Sequence, residues 1–556
     1  MASKGGLPEV RGWVLILLTL SGFLLVVASA LSYEIEWIPR LELGLFRLMP
    51  LGYWAGMALM ALSLVLGYRS SSERTFFAQG LFLYLGIWCA PVLYLRLPDV
   101  WDSYMHYFSS LSIAEEGSVL AQGLFSYSAN YPGFFIVGST YDLLADPDVF
   151  LFLKFYSLFV SALTLMAVYL FVRTYLPGLD HRFAFLVSIF GNVWLQYNFS
   201  PQSMGLMAGL MVFVFLEKEG LRWDMLALAS FIYVVVSHPT TAFFVVAGLI
   251  VREVVVALKA WRARSKGWEI RERPWPIIAF MLVWLGWLFT GAREYSGFLW
   301  QQIVSKLAYI FEVPEATSQA VGQRTAGNIF FLGPYLRLAL LGVLMLFLIL
   351  AVLHWWRSKR RRPLPGGLLA MAFVPIVVIP LDIFILQGQV YDRGFLYFAL
   401  SAPILITLMY YRRWTSWRKV AALMIVAATV MSCASVFYQE SLYVVSERSV
   451  DMSEFLDEHV APGTSIVGGT YPDLVWRESN WTQFTKVKYW EIYPLPFENL
   501  TRERGAGMIF DRTTELWQTQ WGQLHIYDFY LDNATEFSKV YESGAYMMIY
   551  GGTVRS

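Results

Sequence analysis

Two cysteines in 556 residues, Cys89 and Cys433, leave no material for a disulfide framework, and both fall inside long apolar runs. Charge is also scarce: Asp, Glu, Lys and Arg make up 15% of the chain, where a soluble domain carries about 25%. No glycine-rich nucleotide-binding signature is present. No basic array interleaved with aromatics marks a nucleic-acid surface, so no nucleic-acid partner is expected. What the chain has instead is 57% hydrophobic residues and a mean hydropathy of +0.51, gathered into runs of about 20 residues. Unpaired backbone groups are not tolerated in hydrocarbon, so such runs become helices that satisfy their own hydrogen bonds. The expected architecture is an all-α polytopic membrane domain.

About thirteen spans are expected, near residues 13–31, 50–68, 75–95, 150–172, 183–199, 202–217, 225–237, 240–258, 275–292, 335–356, 367–386, 394–411 and 419–438. The first, Trp13 to Leu31, follows Lys4 and Arg11 and reads as a retained signal anchor in the cell membrane. Basic loops alternate along the chain: Arg69 and Arg74, Arg173 and Arg182, Arg252 to Arg273, Arg357 to Arg362, and Arg412 to Lys419. The positive-inside rule places them and the N-terminus in the cytoplasm. They read as topology signals with solvated side chains. The opposite loops are acidic or nearly uncharged and face outward.

After Phe437 the composition becomes that of a globular domain. Segments Thr464 to Val467, Lys488 to Tyr493, Gly507 to Phe510 and Tyr546 to Tyr550 read as strands, with helices at Asp451 to His459 and Thr514 to Gln520. The sequons at Asn480, Asn499 and Asn533 cluster here. The expected division is an N-terminal pair of helices at 1–74, a membrane domain at 75–438 with outer loops 96–149 and 293–334, and a small extracytoplasmic α/β domain at 439–556.

The segment Leu97 to Gly117 stands out because it carries Asp99, Asp102, His106, Glu115 and Glu116 directly after an apolar run. On a helix, Asp99, Asp102, His106 and Ser109 share one face, and Tyr104, Phe108 and Leu111 form another. An amphipathic helix of this kind holds carboxylates just above the lipid. A connecting loop with a solvated face fits the same pattern equally well. Three outward turns carry further polar groups: Asn198 to Gln202, His238 to Thr241, and Gln387 to Arg393. Polar groups at membrane depth are expensive and point to function. The plainer readings are a Pro-initiated hairpin at the first turn, a helix cap at His238, and pairing of Arg393 with Asp392 or Asp382 or with headgroups. Arg393 is the sharpest candidate, because a guanidinium fork matches phosphate. The loop from Arg293 to Tyr335 contains Lys306, Glu312, Glu315 and Arg324, amphipathic first and glycine-rich later. It reads either as a lid over the site or as an inert surface loop.

Outward carboxylates at an interface, an Arg for phosphate and a cleft suit sugar transfer from a polyprenyl phosphate to a glycan, lipid or protein acceptor. A carboxylate takes the acceptor proton while the phosphate leaves. A transporter or flippase for lipid-linked glycans is the alternative, and a structural protein displaying the outer domain is a third. The flippase reading is weakened by polar residues gathered at one membrane face and by the lack of an inverted repeat.

Asp99 and Asp102 in the first large outer loop, Ser200-Pro-Gln202, Ser237-His-Pro-Thr-Thr241, Arg393-Gly-Phe-Leu-Tyr-Phe398 and the Phe455-Leu and Pro462-Gly start of the outer domain resemble the GT-C superfamily of integral-membrane glycosyltransferases. The likeness runs from about Leu81 to the end. It implies a polyprenyl (dolichyl-type) phosphate-sugar donor, with Asp102, then Asp99, as base or metal ligand and His106 beside them. For the donor phosphate the expected set is Arg393, Tyr391, Gln202, His238 and Arg324. A divalent cation, Mg or Mn, is expected to have Asp99, Asp102 and Glu116 as ligands. Two features depart from the family: the acidic loop follows the third span, which requires two extra N-terminal helices, and the Trp-Trp-Asp signature of the oligosaccharyltransferase branch is absent. Trp355-Trp356 is instead followed by Arg357 on the cytoplasmic side, which disfavours en bloc glycan transfer to asparagine.

Overall fold

The computed structural model describes residues 11–35, 45, 48–98, 100–120, 126–177, 181–264, 275–307, 332–358, 364–381, 391–410, 422, 424–434, 447–460, 465–468, 485–488, 506–511, 528–529, 531–532, 538–542 and 546–550. Among the described residues five helices are long and apolar enough to cross a membrane: Gly12–Ser32, Val149–Tyr175, Pro239–Leu258, Leu336–Arg357 and Arg393–Tyr410. Shorter apolar helices include Leu51–Gly67, His181–Phe190, Pro201–Leu216, Trp275–Phe289 and Met424–Ala434. The chain is therefore a helical membrane protein.

Helices α1 (Gly12–Ser32) and α2 (Leu51–Gly67) cross at backbone contact. A Cβ on Gly22 would stand 2.7 Å from Gly56 O, and one on Gly56 only 2.5 Å from Gly22 O. Between membrane helices, such close packing takes the place of the hydrophobic effect as the cohesive force. The pair is tied to α3 (Glu73–Trp88) by a buried polar knot. Gln79 Nε2 donates to Ser63 O at 2.7 Å and Ser63 Oγ at 2.8 Å, and Ser63 Oγ donates to Leu15 O at 2.7 Å. Thr19 Oγ1 donates to Ser63 Oγ at 2.9 Å and to Leu15 O at 2.9 Å.

The structure corrects the expected spans where the local chemistry opposes a helix. The span expected at 75–95 breaks at Cys89 into α3 and α4 (Ala90–Tyr94), because Pro91 has no N–H and crowds the turn before it. The span expected at 183–199 is helical only in α9 (His181–Phe190). Residues 191–200 continue without helix yet stay almost wholly buried. Irregular backbone is tolerated at this depth when protein surrounds it. Asn192 stitches the stretch in place: Nδ2 donates to Leu396 O at 3.0 Å, and Oδ1 accepts from Trp194 N at 3.3 Å.

Four helices follow α4 along the chain: α5 (Trp101–Glu116), α6 (Ser126–Asn130), α7 (Gly133–Ala145) and α8 (Val149–Tyr175). Next come α10 (Pro201–Leu216), α11 (Leu221–Ser237), α12 (Pro239–Arg264), α13 (Trp275–Phe289) and α14 (Arg293–Leu307). The helices Leu332–Arg357, Gly366–Leu381 and Tyr391–Tyr410 follow. The last of these is the central one: its apolar stretch is 83% buried, against 22% for α1. Ser188 Oγ, donating to Leu400 O at 3.0 Å, joins Asn192 in fixing it to the α9 segment.

At the start of α9, Arg182 is more than a solvated topology signal. It pairs with Glu73 at 3.0 Å, donates to Tyr68 O and Ser71 O at 2.6 and 2.7 Å, and lies over the Phe76 ring. His181 and Tyr169 also hydrogen-bond to Glu73. These contacts outweigh the raising effect of burial and bring the Glu73 carboxyl down to about 2.

In the C-terminal region, helix Glu447–His459 precedes a mixed sheet of order β2-β1-β3-β5-β4. Its strands are β1 (Ser465–Gly468), β2 (Thr485–Lys488), β3 (Ala506–Asp511), β4 (Ser538–Glu542) and β5 (Tyr546–Tyr550). Parallel β2-β1-β3 continues into antiparallel β3-β5-β4. The expected strand at Lys488 to Tyr493 ends, in its described part, at Lys488. Strand β4 was not expected. Both are edge strands bearing lysine, which blunts an edge and also removes the apolar alternation that marks a strand. The helix expected at Thr514 to Gln520 and the three sequons lie outside the described residues.

Candidate active site

The α5 helix begins at Trp101, so Asp102 sits in its first turn, where the exposed amides favour a carboxylate. One turn on, His106 Nε2 lies 3.2 Å from Asp102 Oδ2. The two share a face, as the sequence spacing implied. Burial alone would raise the Asp102 carboxyl. The charge and hydrogen bond of His106, then the charges of Arg393 and His238, outweigh it and hold the group below its ordinary value of 3.8. Asp102 is therefore ionised at neutral pH.

Side chains all round α5 anchor the helix. Tyr104 is fully buried and donates to Pro98 O at 2.9 Å, and Tyr107 hydrogen-bonds Asp142 of α7. Ser109 Oγ meets Ser128 Oγ of α6 at 3.0 Å. The approach of α7 depends on Gly138: a Cβ there would collide with Ser110 Oγ and stand 2.9 Å from Phe199 Cζ.

Across from α5 lie two helix starts. Pro201 occupies the first turn of α10, where its missing N–H costs nothing, followed by Gln202. Among the described residues Gln202 Oε1 is buried with no hydrogen-bond partner, a costly state for a polar atom. His238 precedes α12, and its Nδ1 accepts from Thr241 N at 3.1 Å, with Thr241 Oγ1 at 2.8 Å. It caps the helix, as the plainer reading held, and it lines the cavity as well. Accepting at Nδ1 places the neutral ring's proton on Nε2. In this turn between two helices, burial, then Arg393 and His106, push the imidazole down to about 3, while Asp102 opposes them. His238 is a neutral donor at physiological pH.

Arg393 enters from the first turn of the Tyr391–Tyr410 helix and is half-buried. Asp102, His106, Gln202, His238 and Arg393 all line one cavity of about 1100 Å³. That is slightly above the usual range for a single small-molecule pocket, about 300–1,000 Å³. Its far wall is aromatic. Tyr127 and Tyr131 stack at 5.8 Å, Tyr295 meets Tyr131 edge-on at 5.4 Å, and Trp284, Trp287 and Trp300 complete it. Asn130 ties this wall together: its carbonyl accepts from Trp287 Nε1 at 3.2 Å, and its Oδ1 from Tyr295 N at 3.3 Å.

Asp99 and Arg324 lie outside the described residues, as does the Tyr391 side chain, although Tyr391 opens its helix. Glu116 does not join the site. Fourteen positions along α5, at 1.5 Å per residue, put it about 21 Å from Asp102, and its side chain is exposed. The expected metal set of Asp99, Asp102 and Glu116 is corrected accordingly. Among the described residues no group of three His, Cys, Asp or Glu side chains converges to hold a metal ion. Sequence reasoning missed Arg293, which lines the cavity from the start of α14, and the aromatic wall. In a chain with 17% aromatic residues, no spacing singled these out.

Fold and site together define a helical membrane protein with an aromatic-walled cavity holding a carboxylate, two histidines and two guanidiniums. Its sequence matches no protein-family model and no curated protein. Among solved structures it is similar to ArnT from Cupriavidus metallidurans bound to undecaprenyl phosphate, with a TM-score of 0.44 and 10% identity over 86% of this chain and 98% of that one. It is also similar to the Archaeoglobus fulgidus oligosaccharyltransferase in complex with Zn and sulfate, with a TM-score of 0.44 and 15% identity over 78% and 67% of the two chains. For ArnT in the apo state the values are 0.35 and 11%, over 81% and 93%.

Proposed function

We propose that this protein is a GT-C-type membrane glycosyltransferase that moves a sugar from a polyprenyl phosphate donor to an extracytoplasmic acceptor. The observation that carries the reading is that Asp102 and Arg393, on helices far apart in sequence, line one cavity and act on each other electrostatically. An ionised carboxylate and a fixed guanidinium are the two groups such a transfer requires. Asp102 accepts the proton of the acceptor hydroxyl as its oxygen attacks the anomeric carbon. The bond from that carbon to the phosphate oxygen breaks, and Arg393 stabilises the charge on the departing lipid phosphate. His106 orients the Asp102 carboxylate, and His238 Nε2 and the Gln202 amide supply neutral hydrogen-bonding groups around the sugar phosphate. Residues 1–74, 75–438 and 439–556 serve as a docked helical pair, the catalytic membrane domain and an extracytoplasmic domain. A divalent cation has no assigned part in these steps.

The test is transfer of radiolabelled sugar from polyprenyl-phosphate sugars to extracted membrane acceptors, comparing purified wild type with Asp102→Asn. Transfer by the wild type and its loss in the variant, with donor still bound, supports the reading. Donor binding without transfer in either protein moves the assignment to a carrier of lipid-linked glycans.

A further inference from the structure

One face of α14 is given over to the cavity. Arg293, Ser296, Gly297 and Trp300 all line it, and offsets of three, four and seven residues are those that align along one side of a helix. Among the described residues Arg293 has neither a salt bridge nor a hydrogen bond. Ser296 Oγ is buried and likewise has no partner among the described residues. A Cβ on Gly297 would meet nothing within 4 Å, so the backbone there is open to close approach. Trp300 leaves 64% of its surface uncovered. A guanidinium, a hydroxyl, bare backbone and an indole in succession form a surface for an oxyanion beside a sugar ring.

The charge inventory says which substrate needs it. Asp102 is the one carboxylate among the described lining residues, against Arg293 and Arg393. On the function proposed above, Arg393 serves the donor phosphate, which leaves Arg293 for a second anion. At about 1100 Å³ the cavity exceeds the usual volume of a single small-molecule pocket, about 300–1,000 Å³. The hydrogen bonds from Tyr295 N and Trp287 Nε1 to Asn130 hold α13 and α14 in place, so the face is preformed.

We infer that this face of α14 binds an anionic glycan acceptor, with Arg293 on its carboxylate or phosphate and Trp300 stacked on its ring. The same oxyanion chemistry exists in a phospholipid headgroup, and the experiment separates the two. Binding of short oligosaccharides ending in a uronic acid or a sugar phosphate is compared with their neutral counterparts by saturation-transfer NMR. The full chain is held in neutral detergent, as wild type, Arg293→Gln, Arg293→Lys and Trp300→Leu. A charge-assisted contact gives the anionic glycans about a tenfold preference. That preference is expected to disappear in Arg293→Gln and to survive largely in Arg293→Lys, while Trp300→Leu weakens both glycan classes alike. Equal binding of charged and neutral glycans by the wild type, or a preference that survives Arg293→Gln, overturns the inference. Displacement of the glycan by added anionic phospholipid also overturns it, by assigning the face to headgroups. The assay uses no donor and no turnover. Intact anionic-glycan binding without sugar transfer would therefore remove the functional reading alone, and transfer without anionic preference would remove this inference alone.

Discussion

Replacing Asp102 by Asn removes one charge and little else. The amide keeps the volume and still meets His106, so α5 retains its anchors at Tyr104, Tyr107 and Ser109. A positioned general base contributes about 10²–10⁴-fold, and the loss in kcat should fall in that range, or about 3–5 kcal/mol of transition-state stabilisation. Donor affinity should stay level or tighten, because the variant removes a negative charge that acts on Arg393 beside the phosphate. The pH profile adds a check. The Asp102 value is depressed, so the carboxylate persists well below neutrality and is lost only as pH falls through that lowered value. In the wild type, Asp102 imposes no fall in rate between about pH 7 and pH 5. Initial rates of radiolabel transfer, with donor binding measured separately, report both effects. A variant that keeps more than about a tenth of the wild-type kcat would refute the assignment of Asp102 as base.

Loss of the His238 cap in His238→Ala should cost about 1 kcal/mol of stability, read as a lowered unfolding temperature in detergent. His238→Asn should restore the cap without restoring donor affinity. Gly138→Val should drive α7 off α5 against Ser110 and Phe199, at about 1–3 kcal/mol, and lower transfer together with thermal stability; unchanged activity would show that the α5 position does not depend on this contact. Glu73→Gln should destabilise by about 1 kcal/mol or less, since Glu73 is 42% exposed. Because the folded-state carboxyl is depressed to about 2 from 4.5, this difference is present above about pH 4.5 and shrinks as pH falls toward 2, which a pH series of unfolding temperatures checks.

Much of the site was legible because its residues carry a cost that sequence alone exposes. Asp102 and His106 follow an apolar run directly at helical spacing, and Gln202, His238 and Arg393 stand at turns between apolar runs. Arg293 and Trp300 were not legible, since a cation and an indole at the start of an amphipathic stretch fit an interfacial helix as well as a cavity wall. Glu116 was misplaced because sequence proximity to Asp102 suggested a shared site, while fourteen helical residues separate the two.

The sequence by itself determined that the chain is helical and membrane-embedded, which loops carry the basic residues, and where polar groups interrupt the apolar runs. These properties follow from hydropathy, length and local backbone chemistry. Only the tertiary structure decided that α9 stops at Phe190, that Asn192 and Ser188 bind the Tyr391–Tyr410 helix through its carbonyls, and that Arg393 thereby reaches the cavity shared with Asp102. Those outcomes depend on which buried polar group finds which partner across 204 and 212 residues of chain. Local pattern carries no information at that range, because the hydrogen bond exists only once the helices have packed.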